Sequence, residues 1–164
     1  MLNKTFILKK ISIIKCLIGL GVLLLVLAAC STYAFKSATF RVETGDNVQV
    51  RVDTKAGYDL TMEVPFVISK DEETILTGGF GKLEAYELYY QLVADDINAE
   101  LLAEDSKDGN DYFFYTVNGK AGIEYDYVLR VGDGQTVVII ASLASRAEAE
   151  AAFAATKISL AEEE

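Results

Sequence analysis

The chain has 164 residues, 15 Lys and Arg against 25 Asp and Glu, a net charge of −10, and neither histidine nor tryptophan. Without histidine no Ser-His-Asp or Cys-His machinery can be assembled, and a His-rich catalytic zinc is excluded. Carboxylates, Lys, Tyr and Ser are what remain for chemistry, and the acidic balance argues against nucleic acid as a partner.

The first elements are a targeting pattern. Lys4, Lys9, Lys10 and Lys15 charge the front end, and no acidic residue precedes Glu43. An apolar run from Cys16 to Ala29 follows, shorter than the roughly 20 residues that span a bilayer as a helix. A charged front, an apolar middle and a small-residue exit predict an export signal over residues 1–29. The exit, Leu27-Ala28-Ala29-Cys30, resembles the bacterial lipobox, in which small residues leave the backbone unhindered for the lipidating enzyme and the peptidase. That resemblance implies that Cys30 becomes the first residue of the mature chain and carries diacylglycerol, with palmitate-type acyl chains in the membrane. A plain secretory signal and an uncleaved N-terminal anchor are the alternatives. One acyl chain holds a protein marginally, whereas two or three hold it durably. The mature chain then keeps 11 basic and 25 acidic side chains, a net −14, and no thiol pair for a disulfide. A surface so acidic is expected to be repelled by anionic lipid headgroups.

Residues 30–37 read as a short tether, 38–160 as one domain and 161–164 as a frayed acidic tail. TFRVE (39–43) and VQVRVDT (48–54) alternate around the turn TGDN, with Phe40, Val42, Val48, Val50 and Val52 on one buried face. YDLTMEV (58–64) continues in extended form to Pro65, the only proline, which marks an edge or a break. FVISK and ETILT form a hairpin about Asp71-Glu72. The run GGFGKLEAYELYYQLVADD opens the first helix, its glycines shaping a strand-to-helix corner and not a phosphate cradle. Leu83, Tyr86, Tyr90 and Val93 line its apolar side, widened by Tyr89 and Leu92. INAELLAE, DYFFYTV, GIEYDYVLRV and TVVIIASL are four strands separated by turn-rich pieces, the last apolar on both faces and therefore central. Ser145 and Glu148 form a capping box for a second helix that packs through Ala149, Ala152 and Phe153, and Ile158 and Leu160 begin a short return strand. Strands, helix, strands, helix with dense hairpins predict an α+β domain: a mainly antiparallel sheet of about six to eight strands with two packed helices.

VPFVISKDEETILTGGF, the helix ending LVADD, DGNDYFFYTVNG, YDYVLRV and TVVIIASLASRAEAEAAF resemble small lipoproteins of Gram-positive gut bacteria. The shared features are a Y-x-x-Y helix, an SKDGN-Y turn and an S-x-x-x-A closing helix, over roughly residues 57–160. The resemblance implies no activity. It also implies a fold similar to PsbP-like domains, which are accessory, scaffolding or ion-retaining modules, and so binding and not turnover.

The aromatic row is the main candidate site. In YFFYTV, Tyr112 and Phe114 point one way and Phe113 and Tyr115 the other, while Ile123, Tyr125, Tyr127 and Leu129 share a face. Helices over half of the sheet leave one row wet unless a second layer covers it. Two outcomes are open: core packing, or an exposed platform of Tyr112, Phe114, Tyr125 and Tyr127. Asp105, Asp108 and Asp111, beside Glu104, crowd one turn. Their spacing lacks the closing Glu of a calcium loop, so a solvated hairpin tip is expected and no metal or cofactor. No carboxylate pair stands out for glycoside cleavage. The sequence thus predicts a cell-envelope lipoprotein on the extracytoplasmic membrane face, with no catalytic residues, that binds an envelope protein or small ligand. A carboxylate-based glycan enzyme and a structural spacer are the alternatives.

Overall fold

The computed structural model describes residues 35–161. Cys30 and the targeting pattern lie outside these residues. The elements are β1 (Phe35–Arg41), β2 (Asn47–Asp53), β3 (Tyr58–Leu60), β4 (Phe66–Lys70), β5 (Glu73–Lys82), α1 (Glu84–Asp95), β6 (Ala99–Lys107), β7 (Asn110–Gly119), β8 (Gly122–Arg130), β9 (Thr136–Ser142), α2 (Arg146–Ala154) and β10 (Thr156–Leu160). The domain is α+β, and every strand pairing is antiparallel.

Ten strands form two sheets where the sequence suggested six to eight. Seven run in the order β3-β4-β5-β9-β8-β7-β6, with β9 at the centre as its two-sided apolar pattern requires. The other three, β1-β2-β10, make a separate small sheet. Its inner residues Ala38, Phe40, Val48, Val50, Val52 and Ile158 are buried against Phe66, Leu129, Val138 and Ile140 of the large sheet. Alternation in β1 and β2 is therefore real, but it faces another sheet and not a helix. Strand β1 starts at Phe35, so the end of the expected tether is already paired with β2. The turn after β1 is tied to β9 through Asp46, whose carboxylate accepts from Gln135 N and Thr136 Oγ1, both at 2.7 Å.

Both faces of the large sheet are covered in part. The small sheet and α2 lie over one face, with Ala149, Ala152 and Phe153 buried there. On the opposite face α1 rests through Leu83, Tyr86, Tyr89, Tyr90 and Val93 on Phe113, Tyr115, Val128 and Val137. Leu92 does not join this stripe; it is exposed, as is Leu88 one turn earlier. The α2 capping box forms as read: Ser145 Oγ accepts from Glu148 N, and Ser145 N donates to Glu148 Oε2 at 3.0 Å.

The glycine-rich run is the main correction to local structure. Gly78, Gly79 and Gly81 lie inside β5, and the helix begins only at Glu84. Gly78 pairs with Phe66, and a Cβ at position 78 would lie 2.0 Å from the Phe66 ring. The missing side chain is the space in which that ring sits, with Phe40 and Phe80 around it at 5.9 and 5.7 Å. The strand predicted over 58–64 stops at Leu60, and Pro65 sits in the connection to β4.

Candidate functional site

The β7–β8 hairpin organises every candidate. Its register pairs Phe114 with Tyr127, Phe113 with Val128 and Tyr115 with Asp126, so aromatic side chains leave both faces. On the α2 face, Phe114 stacks on Tyr127 with centroids 4.2 Å apart, and Tyr127 stacks on Phe153 of α2 at 3.8 Å. Tyr112 meets Phe153 edge-on at 5.1 Å. Phe114 and Tyr127 are buried, whereas Tyr112 and Tyr125 are half-buried. The four residues therefore do not form an open platform. Two are core, because α2 places its one aromatic side chain, Phe153, over them, and Tyr112 packs beside it.

Tyr125 has a different setting. It lies beyond the reach of Phe153, in an open groove of about 690 Å³ on the same sheet face. Leu102 from β6, Thr116 and Asn118 from β7, and Ile123 from β8 share that lining, with Ile97 and Asn98 closing one side. Arg146, the first residue of α2, forms the other wall. Its guanidinium bonds Glu150 at 2.8 Å and hangs 5.7 Å from the Phe114 ring. The groove offers a few apolar side chains within a lining that is mostly polar, amide and hydroxyl partners among it, and one cation at its end. Glu100 is the single carboxylate in its lining. Position 146 was legible only as part of a cap; nothing in the spacing linked it to Tyr125.

The SKDGN turn is more than a solvated tip. Asp108 and Gly109 have φ of 55° and 83°, the two left-handed positions of a tight hairpin. On one side of them, Lys107 donates its ammonium to the carbonyls of Phe153, Ala154 and Thr156, and lies 4.7 Å from the Phe153 ring. The first two carbonyls belong to the end of α2 and the third opens β10, so the cation sits at the negative end of the helix dipole. Burial pulls the Lys107 ammonium below the usual lysine value, an effect that neighbouring Asp108 opposes. On the other side, the amide of buried Asn110 donates to Ile158 O at 2.8 Å and accepts from Gly132 N at 2.9 Å. Two side chains of one turn thus fix α2, β10 and the β8–β9 loop.

The acidic residues of this turn do not converge. Asp105 pairs with Tyr112 and Asp111 with Ser106, so the two carboxylates leave opposite faces of the hairpin. Ser106 Oγ donates to Asp111 at 2.6 Å, and Tyr90 OH donates to Glu104 at 2.6 Å. Among the described residues no group of three or more potential ligands could hold a metal ion.

One carboxylate is perturbed in a way the sequence reading missed. Asp126 is buried under the α1 face, and burial, reinforced by Glu124, pushes its pKa from 3.8 up to about 7 against a hydrogen bond from Tyr115. Burial and the same carboxylate push the Tyr115 hydroxyl up as well. Asp126 Oδ1 and, nearby on β8, Arg130 Nε have no hydrogen-bond partner among the described residues. An Asp centred in the apolar run YDYVL, on the Val128 side of the strand, was the available signal.

No protein-family model matches the chain, and no curated protein matches it. Among the described residues no helix is long and apolar enough to cross a membrane.

Proposed function

We propose that the chain is a lipoprotein held at the extracytoplasmic face of the cell membrane through an acylated Cys30, and that its domain is a binding or accessory module. The observation that carries this reading is Leu27-Ala28-Ala29-Cys30 behind a lysine-charged front and an apolar run of about 14 residues. The binding part centres on the groove beside Tyr125, in place of the four-residue aromatic platform. Leu102, Ile123 and Tyr125 with donors from Asn118 and Arg146 in a mostly polar lining suit an amphipathic ligand, or a segment of an envelope protein, that carries an acceptor at one end. Acid–base glycoside cleavage needs two carboxyl groups about 5–9 Å apart. Glu100 alone lines the groove, and Asp126, the carboxyl with the raised pKa, lies buried under the opposite helix.

Growth of the producing cells with labelled palmitate tests the anchor. The protein takes up label, and Cys30→Ala abolishes it; uptake by the Ala variant would refute the reading. A photo-crosslinking residue at Ile123, compared with one at exposed Glu84 on α1, tests the groove in intact cells. Position 123 captures one defined neighbour and position 84 does not. Equal patterns at the two positions would remove the groove from consideration.

A further inference from the structure

The acidic charge of this chain is not evenly spread. Between residues 35 and 161 there are 11 basic and 22 acidic side chains. The 19 residues of β1, β2 and β10 hold four of the basic ones, Lys36, Arg41, Arg51 and Lys157, and a single acidic one, Asp53. Everything else in the described chain has seven basic against 21 acidic. The inner face of this sheet is buried, so its outer face is the surface in question. It displays small polar side chains, the cations Arg41, Arg51 and Lys157, and one carboxylate, Asp53, whereas Lys36 lies on the inner side and pairs with Asp59 at 2.6 Å.

The arrangement leaves two cations side by side. Arg51 sits in register with Ser37 on one side and with Lys157 on the other. Like charges directly opposite in an antiparallel pair destabilise it unless an anion lies between them. Among the described residues neither Arg51 nor Lys157 takes part in an ion pair. The Arg51 guanidinium instead lies 4.8 Å from the ring of Phe35, itself exposed at the start of β1. Nearby Asp53 accepts from Lys55 N at 2.8 Å. Phe35, Arg51, Asp53 and Lys157 line a shallow groove of about 450 Å³ together with Lys107 and Asp108.

The position of this cationic end along the chain matters. Four residues lie between Cys30 and Phe35, five chain steps that span about 18 Å at full extension. From the lipid attachment proposed above, on which this inference rests, the outer face of the small sheet lies within reach of lipid headgroups. We propose that this face is the membrane-facing surface of the domain: Arg51 and Lys157 engage the phosphates of anionic lipids, Phe35 lies at the headgroup boundary, and the acid-rich remainder is turned away. Net charge alone predicts repulsion from such a membrane; its distribution reverses the sign on one face. A few cations give weak attraction to an anionic leaflet. On a lipid-tethered chain that weak attraction acts within one molecule and suffices to set orientation. Oriented this way, the domain carries α1, on the far face of the large sheet, away from the bilayer.

The test uses the mature acylated protein reconstituted in vesicles of phosphatidylcholine alone, or with about a third phosphatidylglycerol. A thiol-reactive fluorophore is placed through Thr39→Cys on the proposed face or through Glu84→Cys on α1, and headgroup-labelled quencher lipids report proximity. Position 39 is quenched several-fold more than position 84 in the phosphatidylglycerol vesicles. The excess falls at 0.5 M salt and in the double variant R51Q/K157Q. Equal quenching at the two positions, or an excess at position 39 indifferent to lipid charge and to the double variant, overturns the proposal. The mass of the N-terminal peptide from the same sample separates the two claims. Acylated Cys30 with indifferent quenching defeats only the orientation, whereas unacylated Cys30 defeats the anchor and the orientation together.

Discussion

The two faces of the β7–β8 hairpin carry similar aromatic loads and handle polar groups in opposite ways. On the α2 side, Phe114, Tyr127 and Phe153 stack in series, and two polar side chains of the same side, Lys107 and Asn110, have partners. On the α1 side, Phe113 meets Tyr86 and Tyr90 edge-on at 5.0 and 5.4 Å, yet Asp126 Oδ1 and Arg130 Nε are buried with no partner among the described residues. Hydrophobic burial alone does not distinguish these faces. What differs is polar satisfaction, which fixes α2 in one place and leaves the α1 side open to pH and to repair by mutation.

The largest effect expected from this contrast is at Phe153. Its ring is 5% exposed and stacked on Tyr127, so Phe153→Ala leaves a cavity that the neighbouring sheets cannot collapse into. Urea unfolding should show a loss of about 3–5 kcal/mol. An equal loss on truncating Tyr90, whose hydroxyl end is exposed and bonded to Glu104, would erase the contrast.

Next in size is Asn110→Ala. The substitution strips a donor from buried Ile158 O and an acceptor from Gly132 N in the exposed β8–β9 loop. A loss of about 1–3 kcal/mol is expected, because the buried carbonyl bears its full desolvation penalty while the loop amide recovers a bond to water. Asn110→Asp sharpens the point: it keeps the acceptor for Gly132 N but sets a carboxylate against a carbonyl, and should be worse than Ala near neutral pH.

Much of this was legible in the sequence, and the gaps have physical causes. Period-two runs located the strands, and the Ser145 and Glu148 cap located α2, because both signals are local. The GGFGK run misled since glycine is read as a turn former, whereas here it yields room to Phe66, a residue 12 positions earlier in the chain. Long-range contact is invisible to a local reading. The same holds for Lys107 and Asn110, whose partners lie 46 to 49 positions downstream for the helix end and β10. Opposite orientation of Phe113 and Phe114 was correctly read from alternation, but the choice between covered and wet rows depended on how many layers the strands form. The separate β1-β2-β10 sheet released α2 to cover Tyr127 while leaving Tyr125 in an open groove, and no periodicity encodes that division.

The smallest effect, and the most informative, is at Asp126. Its carboxyl has a pKa of 3.8 when exposed and about 7 when folded. Below about pH 4 both states are protonated and burial of the acid brings no ionic penalty. Between pH 4 and 7 the unfolded chain releases this proton and the folded chain holds it, so stability falls as pH rises. Above pH 7 both are ionised and the penalty stays constant. Asp126→Asn removes the charge but leaves an amide that still needs partners. Linkage over this shift is roughly 4 kcal/mol and the amide costs about half of that at every pH, so the variant should be about 1–2 kcal/mol more stable than the parent at pH 8 and less stable by a similar amount at pH 4. Thermal unfolding across that range decides the matter. A gain at pH 8 that vanishes or reverses at pH 4 assigns the pH response to the α1 face, and a gain independent of pH would mean that the carboxyl has the same pKa folded and unfolded and that the two faces differ only in shape.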